Sequence, residues 1–445
     1  MRMSRSLGTL LIALCVGAVA PSATALAQGG EAQTIPPGTV ITKQNWRQYQ
    51  QFFSDGEKYF WEGQGFWKMP DDVEIHVGQP HHFTLPPPFV EANEKYGGQT
   101  RLVKMPDGRF KLENYVAGFP FPNPSGPDIG TEIAANVTYR LQGEMFAVFA
   151  DLYPDGQLPG GFFVKDRFGH WAATKVDALY RQLAYNWEPG KPRINPQAAG
   201  AWYTEWLMVE VPEQSKYTAD LTIFFQDNLR EEENYVFIPA LRRSLRLSVS
   251  ARCAPLFGSD MTHDDQRIGW NGGVGMFQAK LLGSQPLLTL QDMTKAAGRF
   301  PDEYDGMLGW PKPSWGDWEV RQVWKIDVGR IPSLSPGYCY GRRVMYIDRQ
   351  YYQTQAEDLY DANHKLWKVV VIALTAKPID HGEGGPQMGA SAIWETYWDV
   401  QNEHVSYVTS MGANGDSFKV DYEIPKQYDN IPKYSTPGGL MQLMR

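Results

Sequence analysis

One short stretch of the sequence, residues 259–265, combines the side chains of hydrolytic chemistry: two hydroxyls, an imidazole and three carboxylates. A carboxylate such as Asp260, Asp264 or Asp265 could act as the general acid or base that cleaves a glycan or a lipid ester. Neighbours in sequence rarely point at the same substrate atom, and Asp and Thr are also typical of turns and helix caps. We therefore predict that the stretch forms a turn and keep hydrolysis as the alternative.

The common catalytic and metal-binding motifs are missing from the sequence. It contains no GxSxG, CxxC, HExxH or GxxxxGK[ST] motif, and its eight histidines include no HxH or HxxxH pair. These patterns would supply a nucleophile, a redox pair, a zinc site or a phosphate site. His76, His81 and His82 form a loose group that is typical of a solvated loop. The motif search therefore singles out no catalytic residue, and we expect no metal and no cofactor.

Composition narrows the class of protein further. Of the 445 residues 42% are apolar, 13% are aromatic and 21% are charged, and the formal net charge is −8. The chain is too apolar for disorder. Its acidic balance argues against nucleic acid as a partner, because phosphate binding needs a basic face. The many Trp, Tyr and Phe residues predict a large β core, a lined pocket or both.

The N-terminal 27 residues have the features of a secretory signal peptide. Two arginines precede an apolar run at residues 7–20, and Ala25-Leu26-Ala27 is a small-x-small cleavage site. The apolar run is shorter than the roughly 20 residues that span a bilayer, which disfavours a membrane anchor. We predict a signal peptide over residues 1–27, cleavage near Ala27, export of the mature chain, and one domain over residues 28–445.

Two cysteines, Cys253 and Cys339, remain once the signal peptide is removed. An oxidising compartment permits one bridge between them, but they are 86 residues apart and pairing depends on the geometry of the fold. The sequence leaves two alternatives open, one disulfide or two separate buried thiols.

Alternation of apolar and polar residues dominates the mature chain. Residues 202–209 and 318–328 alternate with period two, whereas residues 366–374 are apolar on both sides. Many such segments between Pro, Gly and Asp turns predict a mainly β fold with an extended antiparallel sheet, closed or half-closed. Helices are expected to be few, with candidates at residues 128–139, 287–297 and 40–55.

Seven large aromatic residues on the predicted strands are candidates for lining a ligand pocket. A flat apolar ring can pack against an acyl chain or stack on a sugar, and the alternative for each ring is core packing. The alternation does not decide which side of the sheet faces the pocket. The candidates are Trp202, Trp206, Phe225, Phe237, Trp324, Tyr346 and Trp367.

A pair of arginines, Arg242 and Arg243, follows a predicted strand and Pro239. Arginines beside aromatic residues can stack on rings or pair with the carboxylates of adjacent turns, and this would lock a hairpin. They could also hold an anionic head group. We favour the structural role and keep the head-group role as the alternative.

Several motifs resemble those of the domain of unknown function 1329 family. They occur in the expected order, and the resemblance spans roughly residues 40 to 440. The matching stretches include residues 235–243 and 360–368, Gly118-Phe119-Pro120-Phe121-Pro122, Asn136-Val137-Thr138-Tyr139-Arg140, Gly258-Ser259-Asp260, Asp264-Asp265, Asn271-Gly272 and Arg342-Arg343. The family is regarded as related to outer-membrane lipoprotein-sorting proteins of the Lol carrier type. This relation implies a curved antiparallel sheet, an incomplete barrel, with a few helices on the concave face that holds acyl chains.

The resemblance also implies a function. The expected protein is a non-enzymatic periplasmic carrier for a lipid, a lipoprotein or another lipophilic molecule in the Gram-negative envelope, with outer-membrane association left open. Family members are often encoded near outer-membrane channel-like proteins and resistance-nodulation-division exporters, which are therefore candidate partners. Two alternatives stay open: an envelope hydrolase, and a structural subunit of an exporter or channel assembly.

Overall fold

Strands are the most abundant regular elements among the described residues. The computed structural model describes residues 33–149, 161–291, 304–305, 307–376, 388–409, 418–420 and 423–443, and the predicted signal peptide lies outside these ranges. In chain order the strands are β1 (Val40–Thr42), β2 (Glu74–His76), β3 (Arg101–Lys104), β4 (Phe110–Glu113), β5 (Met145–Val148), β6 (Gly161–Lys165), β7 (Trp171–Gln182), β8 (Ala201–Val211), β9 (Ala219–Phe225), β10 (Glu233–Ile238), β11 (Arg243–Arg246), β12 (Phe277–Leu290), β13 (Tyr304–Asp305), β14 (Trp310–Pro311), β15 (Trp318–Arg330), β16 (Arg342–Asp348), β17 (Thr354–Tyr360), β18 (Leu366–Ala376), β19 (Met388–Asp399), β20 (His404–Thr409) and β21 (Phe418–Val420).

Fifteen of these strands form one antiparallel sheet. Its main order is β11-β10-β9-β8-β7-β6-β20-β19-β18-β17-β16-β15-β12, and β5 pairs with both β7 and β21. Within the described residues the end strands β11 and β12 do not pair with each other, so the sheet is not closed. The pairs β1–β2, β3–β4 and β13–β14 are separate small sheets. The prediction of a mainly β fold with one large, open antiparallel sheet is confirmed.

The helices of the described residues are short. They are α1 (Asp55–Glu62), α2 (Pro87–Tyr96), α3 (Ile129–Thr138), α4 (Gln266–Gly269), α5 (Ile431–Tyr434) and α6 (Pro437–Leu440), and none is long and apolar enough to cross a membrane. The helix predicted at residues 128–139 is present as α3. It packs so closely on β12 that a Cβ atom on Gly130 would lie 2.6 Å from the carbonyl oxygen of Ala279. Only glycine permits that approach.

Of the two other helix predictions, the one at residues 287–297 is wrong for residues 287–290, and the one at residues 40–55 holds only for Trp46–Phe52. Residues 287–290 form the end of β12, where Leu287 pairs with Arg321 of β15, and residues 292–297 lie outside the described ranges. Residues 40–55 divide into β1 and a 3-10 helix at Trp46–Phe52. Apolar spacing alone cannot decide such short segments, because a ladder of hydrogen bonds to a neighbouring strand outweighs the marginal stability of a short helix.

The sheet curls around residues 249–276, which we call the inner segment. Asp264 of this segment forms an ion pair with Arg330 of β15, and its Arg267 lies 3.5 Å from Glu205 of β8. These two strands are far apart in the sheet order, so one short segment can contact both only if the sheet is curved. We call the face toward this segment the inner face.

Helices cover both faces of the sheet. On the inner face α3 joins the inner segment, since Thr138 Oγ1 donates to the carbonyl oxygen of Gly272. On the opposite, outer face α1 packs on β17 and β18, and the ring of Tyr434 in α5 contacts Trp206 of β8. The expectation that helices lie on the concave face therefore describes α3, whereas α1 and α5 lie on the other side.

A disulfide ties the inner segment to the connection between β15 and β16. The sulfur atoms of Cys253 and Cys339 are bonded, and their Cα atoms are 5.6 Å apart, a usual distance for a bridged pair. Of the two alternatives that the sequence leaves open, the structure has the bridge.

We expect the disulfide to contribute strongly to stability. It spans 86 residues, and a cross-link over a loop of that length removes about 4–5 kcal/mol of chain entropy from the unfolded state. The thermal midpoint of unfolding should fall when the wild type is reduced, and it should also be lower in Cys253→Ser and in Cys339→Ser. Reductant should not change the midpoint of the double variant that carries both substitutions. Mature protein unfolded without reductant should take up no maleimide label. Labelling of both cysteines in that sample would contradict the bridge.

Candidate functional site

The structure distributes the seven predicted aromatic residues over both faces of the sheet. Trp206, Phe225 and Phe237 share a core on the outer face with residues of α5 and α6. Trp202 is buried in the main core, and Trp324 and Trp367 are partly buried at its border. Tyr346 belongs to a third, small core beneath α1, where its hydroxyl bonds to Asp358. The seven residues therefore do not form one common lining.

An irregularity in β8 explains why Trp202 and Trp206 separate. The pairing of β8 with β9 shifts between Ala201 and Tyr203, so both Trp202 and Tyr203 pack in the main core. After this bulge the alternation resumes, and Trp206 turns to the outer face. A single extra residue reverses the face of every side chain on one side of it.

The two arginines proposed for hairpin locking or head-group binding lie at the sheet edge. Arg242 adopts a left-handed backbone conformation with φ of 51° in the turn between β10 and β11, and Arg243 opens the edge strand β11, paired with Ile238. Both side chains are exposed. In the sheet order their strand β11 is at the opposite end from β15 and β16, whose arginines pair with the inner segment.

Charged residues from the matching motifs meet instead on the inner face. Asp264 accepts hydrogen bonds from Arg252 and from Arg330, whose Nε lies 2.9 Å away, and Glu232 pairs with the same two arginines. Burial alone would raise the pKa of Asp264, but attraction to Arg252 and Arg330 outweighs it and holds that pKa well below its usual range. Asp264 is a fixed anion in this cluster.

A second ion-pair group continues along the inner face. Arg343 of β16 binds Asp265 and Glu357, with 2.6 Å between Arg343 Nη1 and Glu357 Oε2. The hydroxyl of Tyr340 donates to Asp265 at 2.7 Å, and Asp265 also closes a capping box with Thr262. Asp260 accepts from Ser406 Oγ at 2.7 Å. The aspartates of residues 259–265 thus hold a turn on the sheet, as the first interpretation of this stretch predicts.

The remaining part of the inner face contains two arginines whose hydrogen bonding is incomplete: Arg140 has no ion pair with a described residue, and Arg267 has a long one, 3.5 Å, to Glu205. The side chains of Arg140 and Arg267 are anchored by neighbouring carbonyls at the end of α3, Val137 O at 3.2 Å and Thr138 O at 2.9 Å. Nε and Nη2 of Arg140, and Nε and Nη1 of Arg267, are buried with no hydrogen-bond partner among the described residues. The hydroxyl of Tyr203 is unpartnered in the same way. We call this group the arginine site.

Two glutamates border the arginine site. Burial raises the pKa of Glu205 to about 7, although Arg267 opposes the shift, and burial likewise raises the pKa of Glu395 to about 7. Burial and the neighbouring Arg267 lower the pKa of Arg140 to about 9. Near neutral pH the site therefore contains two guanidinium cations and only partly ionised carboxylates.

Aromatic rings connect the arginine site with the protein surface. Tyr115 and Tyr185 are half-buried with ring centroids 4.7 Å apart, and Tyr139 lies 4.5 Å from Tyr115. Tyr139 in turn lies 4.8 Å from Trp202, whose ring is 5.0 Å from the guanidinium carbon of Arg267. We call these four rings the aromatic wall. Of the seven aromatic candidates, Trp202 alone belongs to this wall.

Sequence reasoning missed the arginine site. Arg140 belongs to a motif that we used only for the family resemblance, and Arg267 lies two residues beyond another such motif. The sequence contains charged residues in three motifs that are far apart along the chain. A single sequence does not show that these residues come together in the fold.

Asp264→Asn should destabilise the protein by about 3–5 kcal/mol, because it leaves two buried arginines, Arg252 and Arg330, with Glu232 as their one remaining carboxylate among the described residues. The difference from the wild type should shrink as the pH falls below about 4, since a carboxylate with a lowered folded-state pKa stabilises only while it is ionised. Asp71→Asn is the matched control, because the side chain of Asp71 is 96% exposed beside Lys43. Urea unfolding measures both variants. Equal stabilities for Asp264→Asn and the wild type would contradict a structural role and reopen the hydrolase alternative.

The chain is similar to one protein family and to several solved structures. The family model described as a protein of unknown function (DUF1329) matches residues 40–440. No curated protein matches the sequence. An outer membrane lipoprotein-sorting protein domain from Vibrio parahaemolyticus has 14% identity and a TM-score of 0.44, covering 68% of this chain and 96% of its own.

Two further crystal structures are similar at the same low level of identity. A DUF1329 family protein from Desulfovibrio piger has 12% identity and a TM-score of 0.44, covering 70% of this chain and 100% of its own. A LolA superfamily protein from Nitrosomonas europaea has 11% identity and a TM-score of 0.37, covering 67% of this chain and 95% of its own. The family model spans most of the sequence, so the resemblance seen in its motifs is confirmed and the protein belongs to the DUF1329 family.

Proposed function

We propose that this protein is a non-enzymatic periplasmic carrier that binds a lipophilic molecule or a lipoprotein in the Gram-negative envelope. The observation that carries the proposal is the aromatic wall on the inner face, which runs from the half-buried Tyr115 and Tyr185 to the buried Trp202. Rings at the protein surface that continue into the core offer an apolar ligand a continuous contact.

Several other features agree with a carrier. The predicted signal peptide would deliver the chain to the periplasm, and the disulfide between Cys253 and Cys339 suits an oxidising compartment. The aspartates of residues 259–265 are engaged in ion pairs and caps. The ligand would be exchanged with other envelope components, for which outer-membrane channel-like proteins and resistance-nodulation-division exporters are the candidate partners.

Protein purified from the periplasm of its own host should contain a lipophilic molecule. Native mass spectrometry of the full mature chain, followed by solvent extraction, measures this directly. The emptied protein should then bind a dansyl-labelled lipid probe with an increase in dansyl fluorescence. Empty protein that binds no probe would overturn the carrier proposal, and stoichiometric co-purification with a channel or exporter would support the structural-subunit alternative in its place.

A variant of the wall tests the location of binding. Tyr185→Ala should weaken binding of the dansyl probe about five-fold, because one aromatic contact is worth about 1 kcal/mol. Phe168→Ala is the matched control, since Phe168 is 74% exposed on the hairpin between β6 and β7 and touches no ring of the wall. If both variants bind like the wild type, the ligand does not contact the wall.

A further inference from the structure

We propose that the ligand of this carrier is an amphiphile with an acidic oxyanion head group, which Arg140 and Arg267 bind together. The inference rests on the proposed carrier function and adds the chemical class of the ligand. It depends on the arginine site, where four buried guanidinium nitrogens donate no hydrogen bond to a described residue and only Nε of Arg267 has a carboxylate, Glu205, within 3.5 Å.

Buried arginines normally find their hydrogen-bond acceptors inside the protein. On the same inner face Arg330 and Arg343 each contact two carboxylates. Arg140 has no ion pair with any described residue, although it is only 3% exposed. A buried cation without an anion is unfavourable. The burial of Arg140 is therefore explained if a ligand supplies the anion.

Both guanidinium groups are anchored at the C-terminal end of α3. Arg140 donates to Val137 O and Arg267 donates to Thr138 O, which are consecutive carbonyls in the last turn of α3. The negative end of the helix dipole stabilises cations at that position. An anchored pair of guanidinium groups matches the oxygens of a carboxylate or a phosphate, to which arginine donates in a planar fork.

The ring contacts of Arg267 fix the plane of its guanidinium group. Its guanidinium carbon lies 4.2 Å from the ring centroid of Tyr203 and 5.0 Å from that of Trp202. Stacking on rings leaves the N–H groups at the guanidinium edge free to donate. Arg267 also has a left-handed backbone conformation with φ of 58°, which is strained for a residue with a side chain.

The charges around the site permit an additional anion. Near neutral pH Glu205 and Glu395 are only partly ionised, so the two arginines exceed the local negative charge. Glu395 accepts from Tyr397 at 2.7 Å, and Glu205 accepts from Asn271 at 3.1 Å, so neither needs the arginines as its sole donor. The apolar part of the ligand would lie along the aromatic wall, which ends at Arg267.

The test compares dansyl-labelled probes of equal chain length: a fatty acid, an alkyl phosphate and a fatty alcohol. The wild type should bind the two acidic probes at least ten-fold more tightly than the alcohol. Arg140→Met should lower affinity for the acids ten-fold or more and change affinity for the alcohol less than two-fold. Arg140→Lys keeps the charge without the fork and should be intermediate. Arg243→Met, an exposed arginine on the β11 edge, should change neither.

Stability separates a binding role from a structural one. Arg140→Met should unfold at the same temperature as the wild type or higher, because the charge that it removes has no ion-pair partner among the described residues, whereas Arg330→Met should unfold at a lower temperature. A lower midpoint for Arg140→Met, or loss of acid selectivity in Arg243→Met instead, would overturn the inference. Equal binding of acids and alcohol would also overturn it while leaving the carrier function intact, and binding of no probe would overturn the carrier function itself.

Discussion

The ion pairs of the inner face determine how the rest of this molecule is built. Asp264 and Asp265 are fully buried, and each is held by arginines of the sheet, Arg330 on β15 and Arg343 on β16. Burial of a carboxylate is costly unless a cation accompanies it, so the inner segment can occupy only one position on the sheet. That position requires strands from both halves of the sheet to approach it, and the sheet is curved as a result.

The same face combines two electrostatic arrangements. Around Asp264 and Asp265 the arginines and carboxylates pair with each other, and the disulfide at Cys253 adds a covalent link to the same segment. Around Arg140 and Arg267 the pairing is incomplete, since Arg140 has no ion pair among the described residues and Arg267 only the 3.5 Å contact with Glu205, and both stand beside a row of aromatic rings. The ion pairs at Asp264 and Asp265 make the inner segment rigid. This rigidity can keep the neighbouring chain from closing onto the guanidinium nitrogens of Arg140 and Arg267 that make no hydrogen bond.

The sequence predicts the parts of this fold that depend on local pattern. Period-two alternation identifies strands such as β8 and β15, and the helix α3 follows from its spacing. The bulge at Trp202 escapes prediction, because one inserted residue leaves the composition unchanged. The acidic run at residues 231–233 has the composition of a solvated turn, yet Glu232 is buried because Arg252 and Arg330 arrive from distant parts of the chain. Alternation likewise places the seven candidate lining residues on strands. It does not show which face of the sheet each of them occupies.

The anchoring of the arginine site at α3 has a consequence for how a ligand would leave. Both arginines donate to carbonyls of the last turn of α3, but Arg140 follows α3 directly in the chain whereas Arg267 belongs to the inner segment, so a displacement of α3 relative to that segment would separate the two guanidinium groups. At its other end α3 touches the backbone of β12 at Gly130, and β12 is an edge strand that pairs only with β15 within the described sheet. An edge strand with one neighbour is easier to displace than the centre of a sheet. Two differently held elements therefore meet at the arginine site: the inner segment, fixed by ion pairs and a disulfide, and α3, which packs on an edge strand.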